Sequence, residues 1–228
     1  VGDRQKKTEL FEQLARVGKA FGNGKRLELL DLLAQGERSV ENLAAAADLG
    51  LTTASAHLQI LKQAGLVTTR RDGTKIYYDL AGLEVARLYE HLRTVASDRL
   101  ADVGQARDDY LGIDATDTAD APAEISRDEL LSRAGRGEVT VIDVRPRVEY
   151  DAAHIPGALS IPVEELAQRL QEIPADQEVV AYCRGAYCVL AYEAVDLLRS
   201  RGLPAGRLQD GMLEWRLNGL PTETGKAA

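Results

Sequence analysis

The sequence predicts two domains within 228 residues: a mainly α-helical one, then an α/β one with a parallel sheet flanked by helices. Three observations carry that reading. Apolar residues recur at helical spacing through most of the N-terminal half. Residues 112–124, GIDATDTADAPAE, show no apolar periodicity, are rich in Ala, Asp and Thr, and contain Pro122, which is a linker composition. Beyond them, short β-branched runs alternate with helical stretches, the pattern of βαβ units. The expected boundaries are residues 1–111 for the first domain, 112–124 for the linker, 125–221 for the second domain and 222–228 for a frayed tail.

Composition narrows the function classes. Hydrophobic residues at 45% and charged residues at 28% exclude a fibrous or wholly disordered chain. No apolar run approaches the ~20 residues that cross a bilayer, and no signal-peptide core is visible. No membrane partner is expected, and the cytoplasm is the expected compartment. The net charge of -8 is unevenly spread: residues 1–83 hold 12 Lys+Arg against 10 Asp+Glu, residues 113–228 hold 12 against 20. The first part can approach an anion, whereas the second would be repelled by nucleic acid.

The N-terminal elements follow from spacing and punctuation. Leu10, Leu14, Val17 and Phe21 lie on one helical face, and Leu27, Leu30 and Leu33 on a second, shorter helix bracketed by Gly24 and Gly36. Ser39 is the expected cap of a third helix, with Asn42 a poor capping-box partner. Thr52 or Thr53 is the expected cap of a fourth, which runs to about Ala64 and stops at Gly65. In LVTTRRDGTKIYYDL, Val67 and Thr69 alternate with polar neighbours, as do Ile76 and Tyr78, and Asp72 and Gly73 mark a hairpin between them. One long helix is expected next, with Leu83, Ala86, Tyr89, Leu92, Val95 and Leu100 on one face.

Helix, turn, helix and a two-stranded wing form a DNA-reading arrangement. The fourth helix would enter the major groove, offering Thr52, Thr53, Ser55, His57 and Gln59 to phosphates and base edges, with Leu58 and Leu61 toward the core. Arg70, Arg71 and Lys75 at the wing tip are placed to meet phosphates. The runs TTASAHLQILKQAGLV and TTRRDGTKIYYDL resemble the ArsR family of bacterial repressors, over roughly residues 8–101. That resemblance implies a homodimer joined by the first and last helices of the region, an inverted-repeat double-stranded DNA operator as partner, and repression relieved by an inducer. The chain departs from metal-sensing members. The third helix, SVENLAAAADL, has no Cys, and His91 with Glu84, Glu90 and Asp98 reads as a solvated face. No metal and no cofactor is expected, and no thiol exists before residue 183 with which this domain could sense sulfur itself.

In the second half, strands are expected at 139–144, 178–182 and 207–209, and helices at 162–171 and 189–199. The apolar strand VVAYC ends in Cys183, and in open α/β sheets chemistry sits beyond the carboxyl ends of strands. Two cysteines, Cys183 and Cys188, are too few and too close to staple a fold of this size, and in a reducing compartment they point to chemistry. Between them Arg184, Gly185, Ala186 and Tyr187 form a slim loop before an apolar helix. Loop amides and the helix N-terminus would favour a thiolate at Cys183.

Three segments in order, VIDVRPRVEYDAAHIPGALSIP, VVAYCRGAYC and DGMLEW, resemble the rhodanese family over about residues 125–221. The resemblance implies that Cys183 accepts a sulfane sulfur, carries it as a persulfide and passes it on, and that the amides of residues 184–188 stabilise its charge. Arg184 is expected to draw in a small anionic sulfur donor such as thiosulfate or polysulfide. Asp143 and Arg145 are expected to tie loops together, His154 to sit in a turn, and Trp215 to be core. A phosphatase or arsenate reductase needs a longer loop closed by Arg, and the sixth residue after Cys183 is Val189. Cys188 is either a resolving thiol, which needs the two Cα atoms within about 7 Å, or a small residue packed under the loop. The functional expectation is a DNA-binding transcriptional regulator, a repressor, whose second domain senses or transfers sulfane sulfur through Cys183. The alternative is a thiosulfate or polysulfide sulfurtransferase whose first half serves dimerisation.

Overall fold

The computed structural model describes residues 2–113, 123–174 and 176–225. Most of the expected linker and the last three residues of the expected tail lie outside these. The chain divides into two compact units, Val1–Arg93 and Thr94–Ala228. The division falls inside a helix and does not coincide with the boundary expected after residue 111.

In the first unit, α1 (Arg4–Phe21) is opened by Asp3, which accepts from the amides of Gln5 and Lys6, and α2 (Gly24–Leu33) by Asn23, which accepts from Arg26 N. Between α2 and α3 (Val40–Ala46) lies β1 (Arg38–Ser39), and Ser39 caps α3 as expected, accepting from Asn42 N at 3.3 Å. α4 (Leu51–Gln63) begins two residues earlier than a Thr52 cap would set it and three earlier than a Thr53 cap. Gly50 takes the extended cap position without a side-chain bond, so Thr52 and Thr53 lie in the first turn instead of capping it. β2 (Val67–Asp72) and β3 (Lys75–Leu80) pair antiparallel with Asp72 opposite Lys75. Gly73 takes φ +58° in the turn between them, a left-handed conformation that favours glycine. β1 adds a third strand on β3, with Arg38 opposite Tyr78. Two residues carry no alternation, which is why sequence patterning does not reveal that strand.

Leu29, Leu30, Leu33, Leu43, Leu58 and Leu61 fill the core between these helices. Ridges at i, i+3 and i+4 bring such leucines onto one face of each helix. By contrast, Leu10, Phe11 and Leu14 of α1 are each more than half exposed.

The single long helix expected after the wing is two helices, α5 (Leu83–Arg99) and α6 (Ala101–Leu111). Leu100 adopts an extended backbone between them, φ -115° and ψ 105°. In the second unit follow β4 (Ala123–Ile125), α7 (Arg127–Gly135), β5 (Val139–Asp143), α8 (Arg147–Ala152), β6 (Leu159–Ser160) and α9 (Val163–Leu166). A 3-10 turn at Leu170–Glu172 leads to β7 (Glu178–Tyr182), α10 (Val189–Ser200), β8 (Ala205–Leu208) and α11 (Met212–Leu217). The five strands form one parallel sheet in the order β4-β8-β7-β5-β6. β8 begins two residues before the expected run. β4 and β6, at three and two residues, escape sequence patterning. β4 also draws residues 123 and 124 out of the expected linker and into the sheet.

Period-two alternation sorts the side chains of β7. Val179, Ala181 and Cys183 face the core shared with α10, whereas Val180 and Tyr182 face the core shared with α11 and its Trp215. The tail is not frayed throughout. The backbones of Glu223 and His154 exchange hydrogen bonds, each at 2.9 Å, and Gly225 N donates to Asp151 O. These backbone bonds tie down residues that composition marks as loose.

Candidate functional site: a cysteine loop and a wing

Cys183 leaves the carboxyl end of β7, and Cys188 is the N-cap of α10. The two are joined by a disulfide with Cα atoms 6.1 Å apart, inside the reach the sequence argument required. Both are buried, at 2% and 8% exposure. Of the amides expected to face the sulfur, that of Cys188 is committed to the Gly185 carbonyl at 3.1 Å.

The loop is gripped from outside by the start of α11. Met212 N donates to Cys183 O at 2.9 Å and Leu213 N to Arg184 O at 3.0 Å. Gly211 is packed so tightly there that a Cβ on it would stand 2.2 Å from Gly185 N. The turn is itself pinned, with Gly211 N donating to Glu214 Oε2 at 3.0 Å. Trp215 is core as expected, its Nε1 donating to Pro221 O at 2.7 Å. DGMLEW thus supplies the glycine and amides that hold the loop, a role its composition does not reveal.

Arg184 departs from its expected role. Its Nε lies 3.0 Å from both oxygens of Glu149 and its Nη2 lies 2.7 Å from Oε1. The Glu149 side chain is 1% exposed. Instead of standing open to attract anions, Arg184 is neutralised by a buried carboxylate 35 residues away in sequence. No sequence pattern links α8 to the loop, so sequence reasoning does not find Glu149.

Asp143 and Arg145 form a fully buried ion pair, with Nη2 2.6 Å from Oδ2. Burial alone would lower the Arg145 pKa, but the facing Asp143 carboxylate outweighs it and holds it above its ordinary value. Arg145 Nη2 also donates to Ala153 O at 2.7 Å. The Tyr182 hydroxyl donates to Asp143 Oδ2 at 2.6 Å and accepts from Ile155 N at 3.1 Å. Burial, then the Asp143 carboxylate, pushes the Tyr182 pKa well above its ordinary 10.0, so it stays a donor. One network therefore joins the ends of β5 and β7 to the turn after α8. His154 stacks on Tyr150 with centroids 3.7 Å apart, and its Nδ1 lies 2.9 Å from Tyr150 O, which is a structural placement.

Tyr187, beside Cys188, shares a hydrogen bond between its hydroxyl and that of Ser97 on α5. Arg107 of α6 pairs with Asp108 at 2.6 Å; that carboxylate, with smaller contributions from the Tyr187 and Tyr192 phenols, raises the Arg107 pKa. Ser97 is a second residue that sequence reasoning does not select.

In the first unit, α4 presents Thr52 and Thr53 exposed and Ser55 and His57 partly buried, while Leu58 and Leu61 are fully buried. His57 Nδ1 is buried without a hydrogen-bond partner. Gln59 is engaged elsewhere, its Nε2 donating to Tyr78 Oη at 2.8 Å, which fastens α4 to β3. Burial raises the Tyr78 pKa and keeps that hydroxyl protonated. Of the wing cations, Arg71 and Lys75 are exposed. Arg70 is instead paired with Glu37, Nη2 to Oε2 at 2.6 Å, lies 3.5 Å from Asp72, and is stacked 4.7 Å over the Tyr77 ring. It is the wing cation with its charge already answered.

Residues 23–69 match the bacterial regulatory protein, arsR family, and residues 126–218 match the rhodanese-like domain. The chain is 55% identical over 225 residues to an HTH-type transcriptional regulator of Mycobacterium tuberculosis, covering 98% of this chain and 96% of that protein. It is 35% identical over 102 residues to a protein of Allochromatium vinosum named a sulfurtransferase, covering 43% of this chain and 92% of that one. Among solved structures it resembles the homodimeric winged helix-turn-helix DNA-binding domain of a Mycobacterium bovis protein. That match is 55% identical with TM-score 0.41, covering 44% of this chain and 93% of the other.

Proposed function

The chain belongs to the arsR family of bacterial regulatory proteins, in a form that carries a rhodanese-like domain, and from that premise we propose that it is a repressor whose operator affinity is set by sulfane sulfur at Cys183. It is a transcriptional regulator with two modules, and the observation that carries the finer reading is the bridge between Cys183 and Cys188 across a four-residue loop.

The chemistry balances without an outside oxidant. The Cys183 thiolate attacks the outer sulfur of a hydropersulfide, RS–SH. The donor S–S bond breaks, its electron pair leaves on RS⁻, and Cys183–S–SH forms. The Cys188 thiolate then attacks the Cys183 sulfur, expelling HS⁻ and closing the disulfide. The sulfane sulfur is reduced as the two thiols are oxidised. Cys188 is the resolving thiol in this scheme. Residues 183–188 carry the switch, and Asp143 and Arg145 brace the end of β7 that leads into it.

Thr52, Thr53, Ser55 and His57 read an inverted-repeat DNA operator, while Arg71 and Lys75 meet its phosphates. The exposed Leu10, Phe11 and Leu14 of α1 support a homodimer with α1 and α5 at its interface, since such a patch is normally covered. The hydrogen bond of Tyr187 with Ser97 supports a route from the loop to α5. The domain division proposed is a DNA-binding and dimerisation part reaching to the end of α6, then a sulfur-reading part starting at β4.

A second reading, a sulfurtransferase with turnover, is favoured by the 35% identity of the second half to a protein bearing that name. The deciding experiment is a binding titration of the full chain on DNA from upstream of its own coding region. Reduced wild type should bind more tightly than polysulfide-treated wild type by at least fivefold. Reductant should restore affinity, and Cys183→Ser should not respond. That factor corresponds to about 1 kcal/mol of coupling. Equal affinities before and after treatment, with sustained thiosulfate:cyanide turnover, would establish the enzyme instead.

A further inference from the structure

Among the described residues, four ion pairs lie at or next to the cysteine loop. Arg184, the only cation of residues 183–188, is paired with the buried Glu149 at 2.7 Å. Beside Tyr182, the residue that leads into the loop, Arg145 is paired with Asp143. Asp210, just before the Gly211 that touches the loop, pairs with Arg127 at 2.7 Å. Arg107, near Tyr187, pairs with Asp108. The region from residue 113 onward carries 20 acidic against 12 basic residues. A dianion entering this site would lose water around two charges and find neutral backbone dipoles with a buried carboxylate close by, a poor exchange at low dielectric. An uncharged or singly charged donor loses far less hydration.

We propose that Cys183 takes its sulfur from hydropersulfides and organic polysulfides in preference to the thiosulfate dianion, and that Glu149 sets this preference by cancelling the charge of Arg184. The inference rests on the reading of Cys183 as the sulfur-accepting thiol. With either donor the thiolate displaces a leaving group from the sulfane sulfur. RS⁻ departs from a hydropersulfide and SO₃²⁻ from thiosulfate, so the Cys183 persulfide is common to both while the charge admitted and the leaving group differ. Glu149 acts through Arg184 and touches no reacting atom, which makes it a positioning residue. Its carboxylate is also the group whose neutralisation would convert the loop into a cationic one.

The test measures persulfide formation on Cys183 by intact mass, in full-length, pre-reduced protein carrying Cys188→Ser so that the adduct persists. The donors are thiosulfate and the hydropersulfide of N-acetylcysteine methyl ester. With Glu149 intact, the hydropersulfide should react at least tenfold faster, and Glu149→Gln should narrow the ratio about tenfold by raising the thiosulfate rate. Adding Arg184→Gln to Glu149→Gln should restore the original ratio, because the loop is again without net charge. An unchanged ratio in Glu149→Gln, with both donors still loading Cys183, would overturn the proposal while leaving sulfur acceptance standing. Loading by neither donor in any protein would remove sulfur acceptance itself, and this inference with it. Salt dependence gives a test that keeps Glu149 in place. The thiosulfate rate should stay level or rise with ionic strength, whereas a steep fall would reveal an uncompensated cationic site and overturn the proposal.

Discussion

The hydroxyl of Tyr187, one residue before the bridged Cys188, is hydrogen-bonded to the hydroxyl of Ser97 on α5. In the proposed switch, Tyr187 is the loop residue next to Cys188 and the one through which a change in the disulfide would reach Ser97. The first prediction therefore concerns Ser97→Ala, which leaves the loop sequence intact. Polysulfide should still oxidise the cysteine pair in this variant, read by mass. The accompanying change in operator affinity should fall to less than half the wild-type factor. A full response in Ser97→Ala would place the coupling elsewhere.

Anaerobic inorganic polysulfide separates the roles of the two thiols. Pre-reduced wild type should lose two hydrogens and gain no lasting sulfur, because in the proposed scheme Cys188 resolves the persulfide across the 6.1 Å Cα separation. Cys188→Ser should instead retain the mass of at least one added sulfur atom. Retention of extra sulfur by both proteins would make Cys188 a packing residue and leave Cys183 a simple carrier.

The buried network of Asp143, Arg145 and Tyr182 predicts a stability loss with a defined pH course. Tyr182→Phe removes the donor to Asp143 and leaves Ile155 N–H without its acceptor. Each buried group so orphaned costs about 1–3 kcal/mol, enough to lower thermal unfolding of the second unit by several degrees. Because the Tyr182 pKa is raised in the fold, its contribution is present in full below the unfolded value of 10.0 and is lost as pH rises through the native value. The gap in stability between wild type and Tyr182→Phe should therefore be constant near neutrality and shrink at strongly alkaline pH. A pH-independent gap would contradict the buried, protonated phenol.

The wing cations should not behave alike. Arg71→Ala and Lys75→Ala should each weaken operator binding and reduce the slope of log affinity on log salt, by about 0.9 for every phosphate that the side chain neutralises. In the proposed homodimer each substitution takes two cations, which doubles the effect. Arg70→Ala should change affinity and slope far less, because Glu37 and Asp72 already answer its charge. Equal salt slopes for Arg70→Ala and Arg71→Ala would show that the pair with Glu37 breaks on DNA.

Periodicity and punctuation by themselves determined the order of modules, the helical first half, the hairpin at Gly73, the buried face of α4 and the position of Cys183 at the end of an apolar strand. Each is a local property: a side chain's face follows from its place in a 3.6- or 2-residue repeat, and a turn from its own residues. The tertiary structure alone decided the partners. It set Glu149 against Arg184, Glu37 against Arg70 and Tyr78 against Gln59, and so engaged side chains expected to stand open to anions or DNA. It placed Gly211 against Gly185 and Ser97 against Tyr187. It paired the two- and three-residue strands β1, β4 and β6, and it tied Glu223 and Gly225 back to α8 and the turn after it. The reason is the same throughout. A repeat reports which face a residue occupies, whereas the group opposite it comes from a distant part of the chain, brought close only when the sheet and its helices pack.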